Sequence, residues 1–451
     1  MTPGARIQAT IELWEKIWSA GVPMDSITGD YFRVRRYIGS GDRNAIAERI
    51  YAMMRSYARV GWWLDKTDTM DNARMRALAD LAIREGVPKP HIVDLYSGGT
   101  HTPAVLDDKE MESLTLLVGR ELNFNEMPAD VLAECPPEAL EKLQAVFGKN
   151  FADELAAMQE PASLDIRANT IKITRDKAID ALKKHGIETT PTPMSPVGLR
   201  AQARVHLAQT KLLQAGVIEI QDEGSQLIAL LCAAKPGQQV LDACAGGGGK
   251  TLVLAAQMEG KGRVVAMDNN SQRLSRGKPR YVRAGIHNVE SRPLDDEQQV
   301  KWLRRQKGNF DVVLVDAPCT SSGTWRRNPD LRWRRMGPSM EEIIKQQAQI
   351  LARFEKCVKP GGKLVYATCS LFQEENEDQI RNFLATHDDF ELVPLEDAWA
   401  DAGLTTKAPE SSGGMMRLSP KQSGTDGFFA AILRRKGSVT VEETTDAEDA
   451  A

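Results

Sequence analysis

Gln239-Val-Leu-Asp-Ala-Cys-Ala-Gly-Gly-Gly-Gly-Lys-Thr251 starts as an apolar run, turns on an acid and passes through four glycines into a stretch with helical spacing. Glycine lets backbone come close to a ligand, and the start of a helix presents free N–H groups to a polar end. The run predicts a strand, then a ligand loop at Cys244, Ala245, Gly246, Gly247, Gly248, Gly249 and Lys250, then a helix. Alone, such a loop is weak evidence of function. Two cysteine motifs downstream, Asp316-Ala-Pro-Cys319 and Thr368-Cys369-Ser370, strengthen it.

Outward from this loop, Arg263-Val-Val-Ala-Met-Asp268, Asn309-Phe-Asp-Val-Val-Leu-Val-Asp316 and Gly362-Lys-Leu-Val-Tyr-Ala-Thr368 are short β-branched runs. Helical stretches such as 271–284 and 340–358 separate them. Strands alternating with helices predict an α/β fold with a doubly wound, Rossmann-like parallel sheet, whose ligands bind beyond the carboxyl ends of the strands. The loop and both cysteines fall at such ends. Asp268 ends the strand after the loop, where an acid takes a ribose hydroxyl pair, so the ligand should contain ribose.

Two rival loops are weaker. Gly249-Lys250-Thr251 fits the end of a P-loop, with Asp311 to Asp316 as its acidic strand, but the first glycine would fall at Cys244. A dinucleotide loop would need its third glycine where this run has none in place. Neither rival employs the cysteines.

The 451 residues allow several domains. Residues 1–150 read as all-helical: Ile7, Ile11, Trp14 and Ile17 recur at helical spacing, and Ser40-Gly-Asp42 is a plausible cap before a second such pattern. Residues 151–230 are mixed, 231–436 hold the alternating unit, and 437–451 form an acidic tail expected to be disordered. Lys and Arg number 58 against 62 acids, five of them in that tail, so residues 1–436 are nearly neutral. Any nucleic acid would have to meet a local patch rather than a global field. The six cysteines include no CxxC pair, and the histidines no ligand spacing, so neither a metal nor a disulfide framework is expected. Without an apolar run of about 18 residues neither a membrane span nor a signal peptide is indicated, and a cytoplasmic protein is expected, taken to be a monomer.

A cysteine above a cofactor crevice suits a nucleophile. C5 of a pyrimidine is a poor nucleophile until a thiolate adds at C6 and makes C5 an enamine carbon. That chemistry needs a thiolate, an acid near N3 and a methyl donor, roles open to Cys369, Asp316 and the glycine loop. Cys232 and Cys357 read instead as core residues.

Together, Asp242 to Thr251, Asp316-Ala-Pro-Cys319 with Ser322-Gly323-Thr324, and Thr368-Cys369-Ser370 with Glu374-Glu375-Asn376 resemble the motifs of the Nop2/Sun (RsmB-type) RNA cytosine-5 methyltransferases. The likeness spans about 160–435, including 164–170, 221–226 and Asp426-Gly-Phe-Phe429. It implies a class I methyltransferase sheet, S-adenosylmethionine as donor, Cys369 as nucleophile, and Cys319 as the thiol that aids release. It also implies cofactor contacts at 244–250, Asp268 and Asp316, with a third acid at Asp295 or Asp296. The family loop usually has Ala-Pro where this chain has Gly246 and Gly247, a change expected to cost rigidity rather than function. Residues 1–150, with Tyr31 to Arg43, more loosely resemble a NusB-like domain.

Between the cysteines lies Trp325-Arg-Arg-Asn-Pro-Asp-Leu-Arg-Trp-Arg-Arg335. Arginine neutralises phosphates and tryptophan stacks on bases, so Arg326, Arg327, Arg332, Arg334 and Arg335 are the expected RNA contacts, with Arg33, Arg35 and Arg36 a second candidate. The expected function is methylation of RNA, most naturally 16S ribosomal RNA, at cytosine C5. The alternatives are a non-catalytic RNA-binding scaffold and a tRNA or DNA cytosine methyltransferase.

Overall fold

A computed structural model describes residues 1–437, apart from 204 and 206. Beyond residue 437 the expected acidic tail lies outside the described residues. Ten α-helices between Pro3 and Ala157 form the N-terminal part. Ile7, Ile11, Trp14 and Ile17 are buried together, as their spacing predicts. The helix starts at Ser40 itself, with Gly39 as a cap that makes no side-chain hydrogen bond, and Asp42 accepts from Arg6 Nε at 2.7 Å. From Ala133 onward the helices leave this core: Leu143, Phe151, Leu155 and Met158 pack with Trp325, Leu371 and Phe372 of the C-terminal half.

Next comes a small antiparallel sheet of β1 (Asp165–Ala168), β2 (Thr189–Pro191), β3 (Gly198–Ala201) and β4 (Ile218–Ile220), in the order β2-β3-β1-β4. The helix Arg175–Lys184 covers it, with Ile166, Leu182, Leu199 and Ile218 between them.

The C-terminal sheet holds β5 (Gln239–Asp242), β6 (Arg263–Asp268), β7 (Val289–Pro293), β8 (Phe310–Asp316), β9 (Val358–Thr368), β10 (Phe390–Val393), β11 (Ser411–Ser412), β12 (Met415–Leu418) and β13 (Phe428–Arg435). The order is β11-β12-β13-β9-β8-β5-β6-β7, with β10 also on β13. Strands β7-β6-β5-β8-β9 are parallel, as expected. The sheet is not parallel throughout, because β13 lies antiparallel to β9. Its run Phe428 to Leu433 is apolar on both faces, which suits a strand covered on both sides. The chain leaves β5 for β6 on one side and later returns to β8 on the other, so the crevice opens at the carboxyl ends of β5 and β8. Among the described residues no helix is long and apolar enough to cross a membrane.

Candidate active site

The loop after β5 leads into the helix Gly249–Gln257. Gly246 and Gly248 take φ of +54° and +80°, the left-handed region that favours glycine. A Cβ on Gly248 would stand 2.3 Å from Tyr281 Oη, so only glycine fits there. The stiffness that an Ala-Pro pair would give is replaced in part by Arg280, whose Nη1 donates to the Gly247 carbonyl at 2.6 Å. Beneath the loop Asp242 is fully buried and takes the Thr251 hydroxyl at 2.7 Å, and burial pushes its carboxyl up to about 7.

Asp268, at the end of β6, accepts the Gly246 amide at 2.8 Å and the Asn270 amide at 2.9 Å, one on each oxygen. Each oxygen keeps a lone pair for a ribose diol. Of the two candidates for a third acid, Asp296 is occupied as the cap of the helix Glu297–Arg304, where it accepts from Gln298 N at 2.8 Å. Asp295 accepts from Ser271 N at 3.1 Å, at the start of the helix Ser271–Ser275 just past Asp268, and the Ser271 side chain and then its amide hold the carboxyl below the usual range. Of the two, Asp296 alone serves as a helix cap. Glycine backbone, an acid pair and the Lys250–Asp316 pair are a donor set suited to an amino-acid-bearing nucleoside.

The cysteines end neighbouring strands and meet. Cys319 Sγ lies 3.4 Å from Cys369 Sγ, both half-buried and both free thiols. Cys369 also approaches Ser321 Oγ at 3.4 Å. The hydrogen bond with Cys319 holds the Cys369 thiol below its ordinary value, against the opposing effect of burial, with Ser321 and the Lys250 charge assisting. The same bond, with burial, drives Cys319 up. The directions of the two shifts make Cys369 the more acidic thiol of the pair. Lys250 Nζ donates to Asp316 Oδ2 at 2.7 Å. Burial opposes the Lys250 charge, but Asp316 outweighs it and holds the ammonium above its usual value. The two thiols, the acid and the glycine loop therefore share one crevice.

The buried Glu375, quoted above only within a motif, holds the two cysteine loops in register. Its Oε1 accepts from Thr320 N at 2.9 Å and Gln347 Nε2 at 3.0 Å, and its Oε2 from Thr320 Oγ1 at 2.6 Å and from Ser370 Oγ. Asn376 accepts from Thr368 Oγ1 at 2.5 Å and donates to the Ser370 carbonyl at 2.9 Å. Two acids and an amide, Glu374-Glu375-Asn376, a few residues after Thr-Cys-Ser were the available signal.

The arginine segment departs from expectation. Arg326 Nε donates to Asp426 at 2.7 Å, while Arg327 bonds Asp426 at 2.8 Å and Asp222 at 3.1 Å. Arg334 bonds Asp330 at 3.0 Å and the carbonyls of Ala20 and Val22, and Asp330 takes the Met24 amide at 2.9 Å. Arg332 is buried against the Trp325 ring. Of the five expected RNA contacts only Arg335 is exposed. The expectation of a solvent-facing patch is corrected: Arg326, Arg327 and Arg334 meet buried carboxylates or the N-terminal helices. Removing one partner of such a pair strands the other charge, so Arg334→Ala should cost about 3 to 5 kcal/mol of stability, read from the urea unfolding midpoint.

The parallel strands, the crevice between β5 and β8 and the glycine loop define a class I methyltransferase fold. Residues 229–434 match the family described as 16S rRNA methyltransferase RsmB/F, and residues 137–208 match the RsmF/B-like ferredoxin-like domain. The ribosomal RNA small subunit methyltransferase B of Pasteurella multocida is 32% identical over 331 residues, 72% of this chain and 69% of the relative. The protein of that name from Photorhabdus laumondii is 31% identical, over 67% of this chain and 66% of its own. Just under two thirds of that relative's length is matched. The crystal structure of PH0851 superposes with a TM-score of 0.75 at 27% identity, over 96% of this chain and 99% of that one. The chain belongs to the RsmB/F family of ribosomal RNA small subunit methyltransferases. This removes the P-loop and dinucleotide readings of the glycine loop.

Proposed function

We propose that the chain methylates C5 of a cytosine in small-subunit ribosomal RNA, with S-adenosylmethionine as donor. The observation that carries this reading is the Cys319–Cys369 contact of 3.4 Å over a crevice that also holds the Lys250–Asp316 pair. The Cys369 thiolate adds to C6, and the ring electrons move to C5 while Asp316 holds the N3 edge. The bound cofactor supplies an electrophilic methyl group, which C5 takes. The C5 proton then passes to a base, for which Cys319 is the candidate once its own proton has left to water after Cys369 is bonded to C6. Its C–H electron pair forms the C5=C6 bond, and the C6–S pair returns to Cys369. Asp268 would hold the ribose and the 244–250 loop the remainder of the cofactor.

A non-catalytic scaffold would have no use for a lowered thiol beside a raised one. A DNA-type enzyme would use the Pro-Cys thiol, Cys319, as nucleophile, against the directions of the two shifts. Bisulfite sequencing of ribosomal RNA from a deletion strain, with and without the restored gene, tests the reading: one cytosine should lose and regain protection. Asp268→Ala should weaken S-adenosylmethionine binding by about 1 to 3 kcal/mol, the cost of leaving a hydroxyl pair without its charged acceptor. Calorimetry showing unchanged affinity would remove Asp268 from the cofactor site.

A further inference from the structure

Beside Cys319 lies a cavity of about 430 Å³, lined by Cys319, Thr320 and Ser321 and also by Arg332, Trp333 and Met340. Nothing in the proposed reaction uses the second group. Arg332 is 5% exposed, and its contacts are the Trp325 ring, 5.0 Å from Cζ, and the Met158 carbonyl at 3.5 Å. Its buried Nε has no partner. Neighbouring Arg326, Arg327 and Arg334 each bond a carboxylate, and no carboxylate accepts from Arg332 among the described residues. The acid with most influence on it, Glu134, is committed to Arg59 Nε at 2.8 Å and to the amides of Ala58 and Arg59. Burial accordingly pushes the Arg332 guanidinium down to about 10. Glu138 and Glu341 also line the cavity, but both are exposed, where water screens them.

A cation held out of water without a counter-ion is costly, and a cavity wall is where a ligand can offset that cost. A phosphate does so best, since the guanidinium fork matches its oxygens. Trp333 and Met340 add surface for a planar base, which a free phosphate would not need. We propose that this cavity receives the RNA nucleotide adjoining the target cytosine, with its phosphate on Arg332 and its base against Trp333 and Met340. The inference rests on the reading of the chain as an RNA cytosine methyltransferase. It gives Arg332 an RNA contact reached through a cavity beside the reacting thiols rather than across an open surface.

The test uses the full chain and an RNA oligonucleotide spanning the cytosine mapped by bisulfite sequencing, with one uncharged methylphosphonate linkage placed in turn at each position. In the wild type, one linkage next to the target should lower kcat/KM about tenfold or more, the effect of losing a charged hydrogen bond. In Arg332→Gln that linkage should no longer matter, while linkages elsewhere act as before. An equal penalty in both proteins, or none at the flanking linkages, overturns the inference and leaves the parent reading standing. A wild type that methylates no RNA cytosine overturns both. Should Arg332→Gln fail to fold, Met336, which also lines the cavity, offers a second variant: Met336→Trp narrows it. Unchanged cofactor affinity with about a tenfold loss of kcat/KM supports the site, and full turnover overturns it.

Discussion

Cys369→Ser will abolish methyl transfer, by about a thousandfold or more, while leaving S-adenosylmethionine affinity within about threefold. The two halves of that expectation have different causes. A serine hydroxyl in place of Cys369 would stay protonated at neutral pH, because its hydrogen bonds with Cys319 and Ser321 and the nearby Lys250 charge favour an anion only where the group can ionise. Addition at C6 then has no nucleophile. The cofactor contacts are expected at the 244–250 loop and Asp268, and Cys369 bonds to none of them among the described residues, so donor binding should persist. Transfer of labelled methyl groups to RNA and calorimetry on the same preparation check both halves. Full turnover in the variant would remove Cys369 as nucleophile and move the chemistry to Cys319.

The parts of the fold legible in the sequence were those fixed by local pattern. Short β-branched runs ending in Asp242, Asp268, Asp316 and Thr368 became β5, β6, β8 and β9 within a few residues, because a buried parallel strand needs an apolar run whatever its neighbours. The stretch 271–284 broke into Ser271–Ser275 and Gly277–Ala284 around Arg276, and a Cβ on Gly277 would meet Tyr281 Oη at 2.5 Å. What was hidden depended on partners far along the chain. Arg326 and Arg327 look like an RNA patch until Asp222 and Asp426, about a hundred residues away on either side, are brought to them. Glu375, known from the sequence only as part of a motif, takes its role from Thr320, Gln347 and Ser370, which the fold lays around it. Charge runs are ambiguous in sequence because the same guanidinium serves water, phosphate or a buried carboxylate, and only burial decides among them.

Cys319→Ala should instead trap the protein on its RNA, since the proposed role of this thiol comes after the methyl group has moved. With Cys369 intact the C6–S and C5–methyl bonds still form, but the C5 proton has no base in reach and elimination stalls. A denaturing gel should then show an RNA-linked protein band that the wild type lacks and that Cys369→Ser in the same chain removes. The variant makes a second, independent change. Cys319 is the largest influence holding the Cys369 thiol down, so deleting it moves that thiol toward the ordinary value. A thiolate exists above its pKa, so the rising limb of Cys369 alkylation against pH should shift to higher pH in Cys319→Ala. An unshifted limb would mean that the 3.4 Å contact does not set the charge of the pair. The absence of a linked band under conditions where the wild type methylates would assign release of the base to another residue.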